Sequence, residues 1–413
     1  MRKVHVIGAG LAGLAAATAL ARKGAQVSVY EAAPQAGGRC RSYFDSVLGQ
    51  VIDNGNHLVL SGNHATFDYL GRVGAQERLV GPDRARFDFV DLKSAARWMI
   101  APNEGPLPWW TLVPSRRVPG TSLGDYASLL GLIFPGATRR IADVMRCDGA
   151  LWERLMRPFL LAALNTEPEI SSAALAAAVI RETLAKGGRA YRPRIAHPTL
   201  AASFIDPALA YLQDKNAAVQ MGQRLRRIEF ESATVNALEF SDATIAVSSE
   251  DVVILAVPPW VAQELIPGLA APDRFSAIVN AHFKIAPPRD APQMLGVIGG
   301  TVEWIFSFSD RISVTISGAD RLVDREREEL AHLIWNDVAA ALDMNSTPPP
   351  WQIVKEKRAT FAATPEQNAK RPLATTQWRN LLLAGDWTDT GLPATIEGAV
   401  RSGHNAAKIA YSR

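Results

Sequence analysis

The sequence predicts an α/β protein of two domains, one with a parallel sheet assembled from separated stretches of chain and a discontinuous α+β domain set between them. Three observations predict it. The chain has 413 residues, more than one hydrophobic core ordinarily serves. A glycine-rich turn joins the β-branched run Lys3 to Ile7 to an Ala/Leu-rich helix ending near Arg22. Far downstream, Asp251-Val-Val-Ile-Leu-Ala-Val-Pro-Pro-Trp260 reads as a second buried parallel strand, so distant chain completes the same layer.

Composition excludes several classes. Hydrophobic residues make up 48% and charged ones 21%, the balance of a packed chain rather than a disordered one. Lys+Arg 44 against Asp+Glu 41 leaves a net charge of +3, which gives no basic face for nucleic acid. Cys40 and Cys147 have neither CxxC nor metal-ligand spacing, so no metal and no disulfide framework is expected, and a reducing, cytoplasmic setting is. Arg2 and Lys3 before an apolar run imitate a secretory signal, but Gly8, Gly10 and Gly13 break the run. No uninterrupted apolar stretch reaches the roughly 18 residues of a transmembrane helix.

The turn Gly8-Ala9-Gly10-Leu11-Ala12-Gly13 stands between strand and helix, and a second strand, Gln26 to Tyr30, ends at Glu31. Gly8 permits the tight turn, Gly10 lets a pyrophosphate approach the backbone, and Gly13 lets helix and sheet close. The helix N-terminus at Leu11 and Ala12 offers free N–H groups and a positive dipole end. Glu31 stands where a carboxylate accepts both ribose hydroxyls and repels a 2′-phosphate, which disfavours NADP. Together these make a Rossmann-like dinucleotide site.

Later segments narrow the dinucleotide. Gly37-Gly38-Arg39 and Asp53-Asn54-Gly55-Asn56-His57 follow Glu31; the Asp251–Trp260 strand comes next; then Leu381-Leu-Leu-Ala-Gly385-Asp386-Trp387 and Leu392-Pro-Ala-Thr-Ile-Glu-Gly398-Ala399. In this order they resemble the flavin amine oxidase and carotenoid desaturase superfamily from end to end. The resemblance implies FAD. It implies that Asp386, with Gly385, holds the ribityl chain or pyrophosphate, that Arg39 lies near the pyrophosphate, that Leu225 contributes backbone contacts to the adenine, and that Gly38 and Val257 are among the cofactor-binding residues. By the same resemblance Gly55 and Asn56 lie close to the isoalloxazine, and the backbone at Ile396 and Ala399 faces the flavin. Independently, a helix starting near Thr395 would aim its dipole at charge developing on a reduced flavin.

The expected FAD-binding domain comprises 1–60, 205–265 and 376–413, with short antiparallel strands from Ala218 through Val247. Residues 61–204, Ala/Leu-rich and helical, and 266–375, with strand-like runs at Met294–Ile298, Val302–Phe308 and Ile312–Ile316, form the substrate domain. Its apolar helical faces, and indoles at Trp98, Trp109 and Trp110, suit an apolar pocket with a Trp-bearing lip at a membrane interface, hence peripheral contact with the inner membrane.

Asp53-Asn-Gly-Asn-His57, Tyr69-Leu-Gly-Arg-Val-Gly74, Leu164-Asn165-Thr166-Glu-Pro168, Glu303-Trp304-Ile-Phe306 and Ala384 to Pro393 resemble one subgroup, the squalene-associated FAD-dependent desaturases or hydroxysqualene dehydroxylases. Asn56 stands where the family usually has glutamine, which leaves a backbone role intact. The resemblance implies reductive loss of the hydroxyl of an isoprenoid, hydroxysqualene, by hydride from reduced FAD, with an external electron donor because no second nucleotide fingerprint is present. His57 and Thr166 are the places to look for a proton donor, and Trp304 for a pocket aromatic. A carotenoid-type desaturase, an amine oxidase and a non-catalytic flavoprotein remain open.

Overall fold

The computed structural model describes residues 3–413. Five parallel strands run in the spatial order Ala218–Gln220, Gln26–Tyr30, Lys3–Ile7, Val252–Leu255, Leu381–Leu383. Val252–Leu255 and Leu381–Leu383 are buried throughout, as expected of strands covered on both faces. From Lys3–Ile7 the chain builds outward to one side, then crosses to Val252–Leu255 on the other. The order therefore reverses at the carboxyl end of Lys3–Ile7, where doubly wound sheets open a crevice. The C-terminal helix Ile396–Ser412 packs on Leu11–Arg22, and Gly403 permits the approach because a Cβ there would stand 2.9 Å from the Cβ of Ala15.

A second sheet has seven strands in the order Trp351–Phe361, Phe275–Phe283, Ile312–Ile316, Trp304–Ser307, Met294–Ile298, Phe87–Asp91, Arg97–Ile100. All pairs are antiparallel except Met294–Ile298 with Phe87–Asp91. The two-residue alternation of strands sorts its side chains. Val279, Ala281, Ile305, Ile312 and Val314 share a core with Ile334 and Trp335 of the helix Arg327–Leu342. Phe89, Met294, Trp304 and Phe306 belong instead to a core with Leu160 and Leu164 of the helix Arg157–Leu164.

Two expectations change. Ala218–Gln220 is the parallel edge strand of the first sheet, and the antiparallel meander starts only at Leu225, through Leu225–Glu231, Thr234–Phe240 and Thr244–Ala246. Alternating exposure looks alike on an edge strand and in a meander, so the pattern could not separate them. The stretch 61–204 is not uniformly helical: Phe87–Asp91 and Arg97–Ile100 join the second sheet, and Leu123–Leu132 is 3₁₀ rather than α-helix. Both strands are short aromatic runs around a turn, and they find their remaining partner some two hundred residues away at Met294–Ile298.

Candidate functional site

At the crevice, Gly8 has φ +106° and donates its N–H to the Tyr30 carbonyl at 2.7 Å; a Cβ there would meet the Ala256 carbonyl oxygen at 2.5 Å. A Cβ on Gly13 would collide with the carbonyl of Gly8. Gly10 differs, for a Cβ there would meet no protein atom within 4 Å and its φ is an ordinary −76°. Nothing in the protein demands glycine at Gly10, whereas a phosphate lying against the backbone would. Glu31 accepts the Ala9 N–H at 2.7 Å on one oxygen and the Ala33 N–H at 2.8 Å on the other. Each oxygen keeps a lone pair for a ribose hydroxyl. The Glu31 carbonyl accepts the Gln223 N–H at 2.7 Å, which brings Leu225 beside the same edge.

The Gly37-Gly38-Arg39 turn abuts this cradle. Gly37 donates to the Ala9 carbonyl at 2.9 Å, and Gly38, at φ +55°, stands over Gly10. Arg39 Nη2 donates to Asp386 Oδ1 at 2.7 Å and Nη1 donates to the Ala359 carbonyl, tying two motifs 347 positions apart. The Arg39 side chain is 44% accessible although it lies deep within the protein, so it faces an internal space. Gly385 donates to Ser402 Oγ at 2.8 Å, and the Trp387 indole N–H reaches the Val257 carbonyl at 2.9 Å. Thr395 caps the last helix, its hydroxyl accepting the Gly398 N–H at 3.0 Å and its carbonyl the Ala399 N–H at 2.9 Å, so the helix end itself stands at Ile396.

From the cradle, Gly55 and Asn56 lead to the second sheet. A Cβ on Gly55 would meet Asn280 Nδ2 at 2.8 Å, and Asn56 Nδ2 donates to Thr315 Oγ1 at 3.1 Å. Asn280, Thr315, Trp304, Gly296, Phe89 and Trp98 are successive cross-strand partners, and so form one row on one face of the sheet. The row is polar at the Asn56 end and aromatic at the other. Phe89 stacks on Trp98 at 5.5 Å and meets Trp304 edge-on at 5.6 Å, with Gly296 leaving room between them.

The three candidates for chemistry fare differently. Trp304 lies in the row with its indole N–H unpartnered among the described residues. His57 is hydrogen-bonded to the Arg39 backbone, and burial, then the Arg39 charge, pushes it down to about 4. It is a neutral imidazole near pH 7 and a poor acid there. Thr166 does not join the cofactor residues: its hydroxyl accepts the Ala363 N–H at 2.9 Å and lies 3.2 Å from Ser276 Oγ, bracing chain at the edge of the second sheet. Asn165 does the same through Ser276, Thr360 and Gly318.

Three polar residues have surroundings that no motif in the sequence assigned. Buried Arg371 donates to the carbonyls of Asp386 and Thr388 and so fixes the Asp386 loop, yet no motif surrounds it. Glu397 is buried and accepts Thr66 Oγ1 at 2.7 Å, capping the helix His64–Arg72 rather than reaching the cofactor. Glu303 accepts the Ser317 N–H at 2.8 Å, and burial pushes its carboxyl up to about 7. Its neighbour Trp304 was visible as an aromatic; the acid's environment depended on strand register.

A family model described as flavin containing amine oxidoreductase matches residues 11–410, and the chain belongs to this family of FAD-dependent oxidoreductases. Three relatives similar over their full length bear the name hydroxysqualene dehydroxylase. One, from Rhodopseudomonas palustris, is 54% identical, covering 99% of this chain and 98% of its own. Another, from Zymomonas mobilis, is 50% identical over 100% of both. Among solved structures, cyclohexylamine oxidase from Brevibacterium oxydans superposes with a TM-score of 0.73 at 17% identity, covering 100% of this chain and 99% of its own, which shows the fold alone.

Proposed function

We propose that this chain converts hydroxysqualene to squalene, replacing the hydroxyl by hydride, within squalene and hopanoid biosynthesis. The full-length identity to relatives named for that reaction, 54% and 50%, carries the reading. The glycine cradle, Glu31 and the Arg39–Asp386 pair fit FAD, since the open space at Gly10 and the accessible face of Arg39 have no explanation within the protein. When bound and reduced, FAD supplies the hydride. The chain's own contribution is to hold the pyrophosphate at Gly8–Gly13, the ribose at Glu31 and the flavin near Asn56 and Ile396. It also presents the Trp304–Phe89 end of the row, where an apolar wall excludes water that would capture a carbocation and aromatic faces stabilise it. The division of labour follows: 1–60, 205–265 and 376–413 bind FAD, and 61–204 with 266–375 bind the isoprenoid.

Electrons come from an external donor. No helix of the described residues is long and apolar enough to cross a membrane, and the proposed membrane contact is peripheral. Its apolar face differs from the expected lip: Trp110 is buried and Trp98 is stacked on Phe89, while Leu107 and Phe134 are 77% and 94% exposed, with Trp109, Leu112 and Leu130 between them. Arg116 lies over the Trp109 ring at 4.8 Å, a pairing suited to an anionic interface. Anaerobic incubation with chemically reduced FAD tests the reaction. Squalene from hydroxysqualene is expected; flavin reduction by a polyene or an amine, without dehydroxylation, overturns it.

A further inference from the structure

We infer that Glu303 is the acid that protonates the departing hydroxyl of the substrate. This rests on the dehydroxylation reading. The candidates nearest the motifs are unavailable, because the Thr166 hydroxyl is committed between Ala363 and Ser276 and His57 is neutral beside Arg39. Glu303 has the placement the reaction needs. It precedes Trp304 in the chain, and its carboxylate oxygen is fixed by the Ser317 N–H at 2.8 Å, two residues beyond Thr315. Two strand residues span roughly 7 Å, so the acid stands that far along the sheet from the Thr315 hydroxyl that holds Asn56. Opposite it the sheet meets the helix Arg157–Leu164, where a Cβ on Gly318 would lie 3.3 Å from Leu161 Cδ1.

Glu303 lies deep in the protein, yet the residue keeps partial accessibility, so it borders an internal space rather than the outer surface. The charged groups facing it are Arg321 and Arg157, and Arg157 is already paired with Glu167 at 2.7 Å. Burial, outweighing the Ser317 N–H and these cations, holds the acid at about 7, so much of it carries its proton at neutral pH.

The step balances. The Glu303 proton goes to the hydroxyl oxygen, and the C–O bond breaks with its electron pair leaving on water. The carbon accepts the hydride of the proposed reaction, which oxidises the reduced cofactor. Glu303, left as carboxylate, regains its proton from solvent. General acids of this kind are worth about 100- to 10,000-fold in rate.

Two readouts test it on the full-length holoenzyme. In infrared titration, Glu303→Gln should remove a protonated-carboxyl band whose midpoint in the wild type lies near 7, whether or not substrate turns over. In single-turnover reduction of hydroxysqualene, Glu303→Gln should lose about 100-fold or more with the flavin spectrum unchanged, and the fall in rate above neutral pH should disappear. Glu303→Asp, which keeps a carboxyl, should recover part of that rate and covers the case in which the amide variant folds poorly. A wild type that leaves hydroxysqualene untouched while the band titrates as expected overturns the dehydroxylation reading. A wild-type rate in Glu303→Gln overturns the role of Glu303 alone.

Discussion

The two sheets build their sites in opposite ways. In the five-stranded sheet, the residues proposed to meet FAD sit in turns at strand ends, and what matters is backbone: a left-handed φ at Gly8, room at Gly10, closure at Gly13. In the seven-stranded sheet, the residues proposed to meet the isoprenoid lie on strand faces, and what matters is which side chains register brings into line. Asn280, Thr315, Trp304 and Phe89 come from four separate strands and share a row only because the strands pair as they do. A cofactor common to many enzymes can be held by backbone geometry, while a particular substrate is read by side chains.

Gly10 and Gly13 offer the sharpest way to break the comparison, and the largest effect. Gly13→Ala drives a Cβ into the Gly8 carbonyl, so the strand–helix turn must open. Overpacking of that kind costs about 1–3 kcal/mol or more, and the purified protein should lack FAD and melt earlier. Gly10→Ala meets nothing, and its φ suits alanine. The apo protein should melt within about 1 kcal/mol of the wild type, yet bind FAD at least tenfold more weakly because the methyl occupies the pyrophosphate's place. Flavin absorbance per polypeptide, read beside thermal unfolding of the apo form, separates the two. Equal FAD content in both variants would break the division between a structural and a ligand-facing glycine.

Legibility in the sequence divides along the same line. Gly8, Gly10, Gly13, Glu31 and the Gly385-Asp386 pair have fixed spacing or a fixed order, because a strand, a turn and a helix leave little freedom between them, and a linear chain displays such constraints. The Arg39–Asp386 contact was legible only as two motifs; that they form one ion pair required the fold. Phe87–Asp91 and Arg97–Ile100 were missed as strands because four or five residues carry too little periodicity to compete with surrounding helical composition. Glu303 lay within a quoted motif but without a role, since its partner is a backbone N–H fourteen positions away. Arg371 had no signal at all, for it bonds carbonyls, and any residue provides those.

In the second sheet the corresponding break is Gly296→Ala, smaller in effect. Its Cβ would meet Phe89 Cδ1 at 2.5 Å, so the Phe89 and Trp304 rings must part. We expect about 1–3 kcal/mol loss in thermal unfolding, normal FAD content, and a fall in turnover of hydroxysqualene. Loss of FAD in this variant would mean that the two sheets do not divide cofactor from substrate as proposed.

The smallest effect belongs to His57, on the cofactor side. Its folded value of about 4 lies below the ordinary 6.5, through burial first and then the Arg39 cation. A depressed value means that the unfolded chain binds the proton more readily. The stability this contributes is present above pH 6.5 and is lost as pH falls towards 4. His57→Gln, which keeps an N–H for the Arg39 backbone, should therefore flatten part of the wild-type decline in melting temperature between those limits and change little above them. The same variant should leave the neutral limb of the rate profile where it is, because that limb belongs to Glu303 across the boundary. If His57→Gln moved the limb, the acid would sit at the cofactor end of the row, and the separation of a backbone-held cofactor from a side-chain-held substrate would have to admit one shared proton.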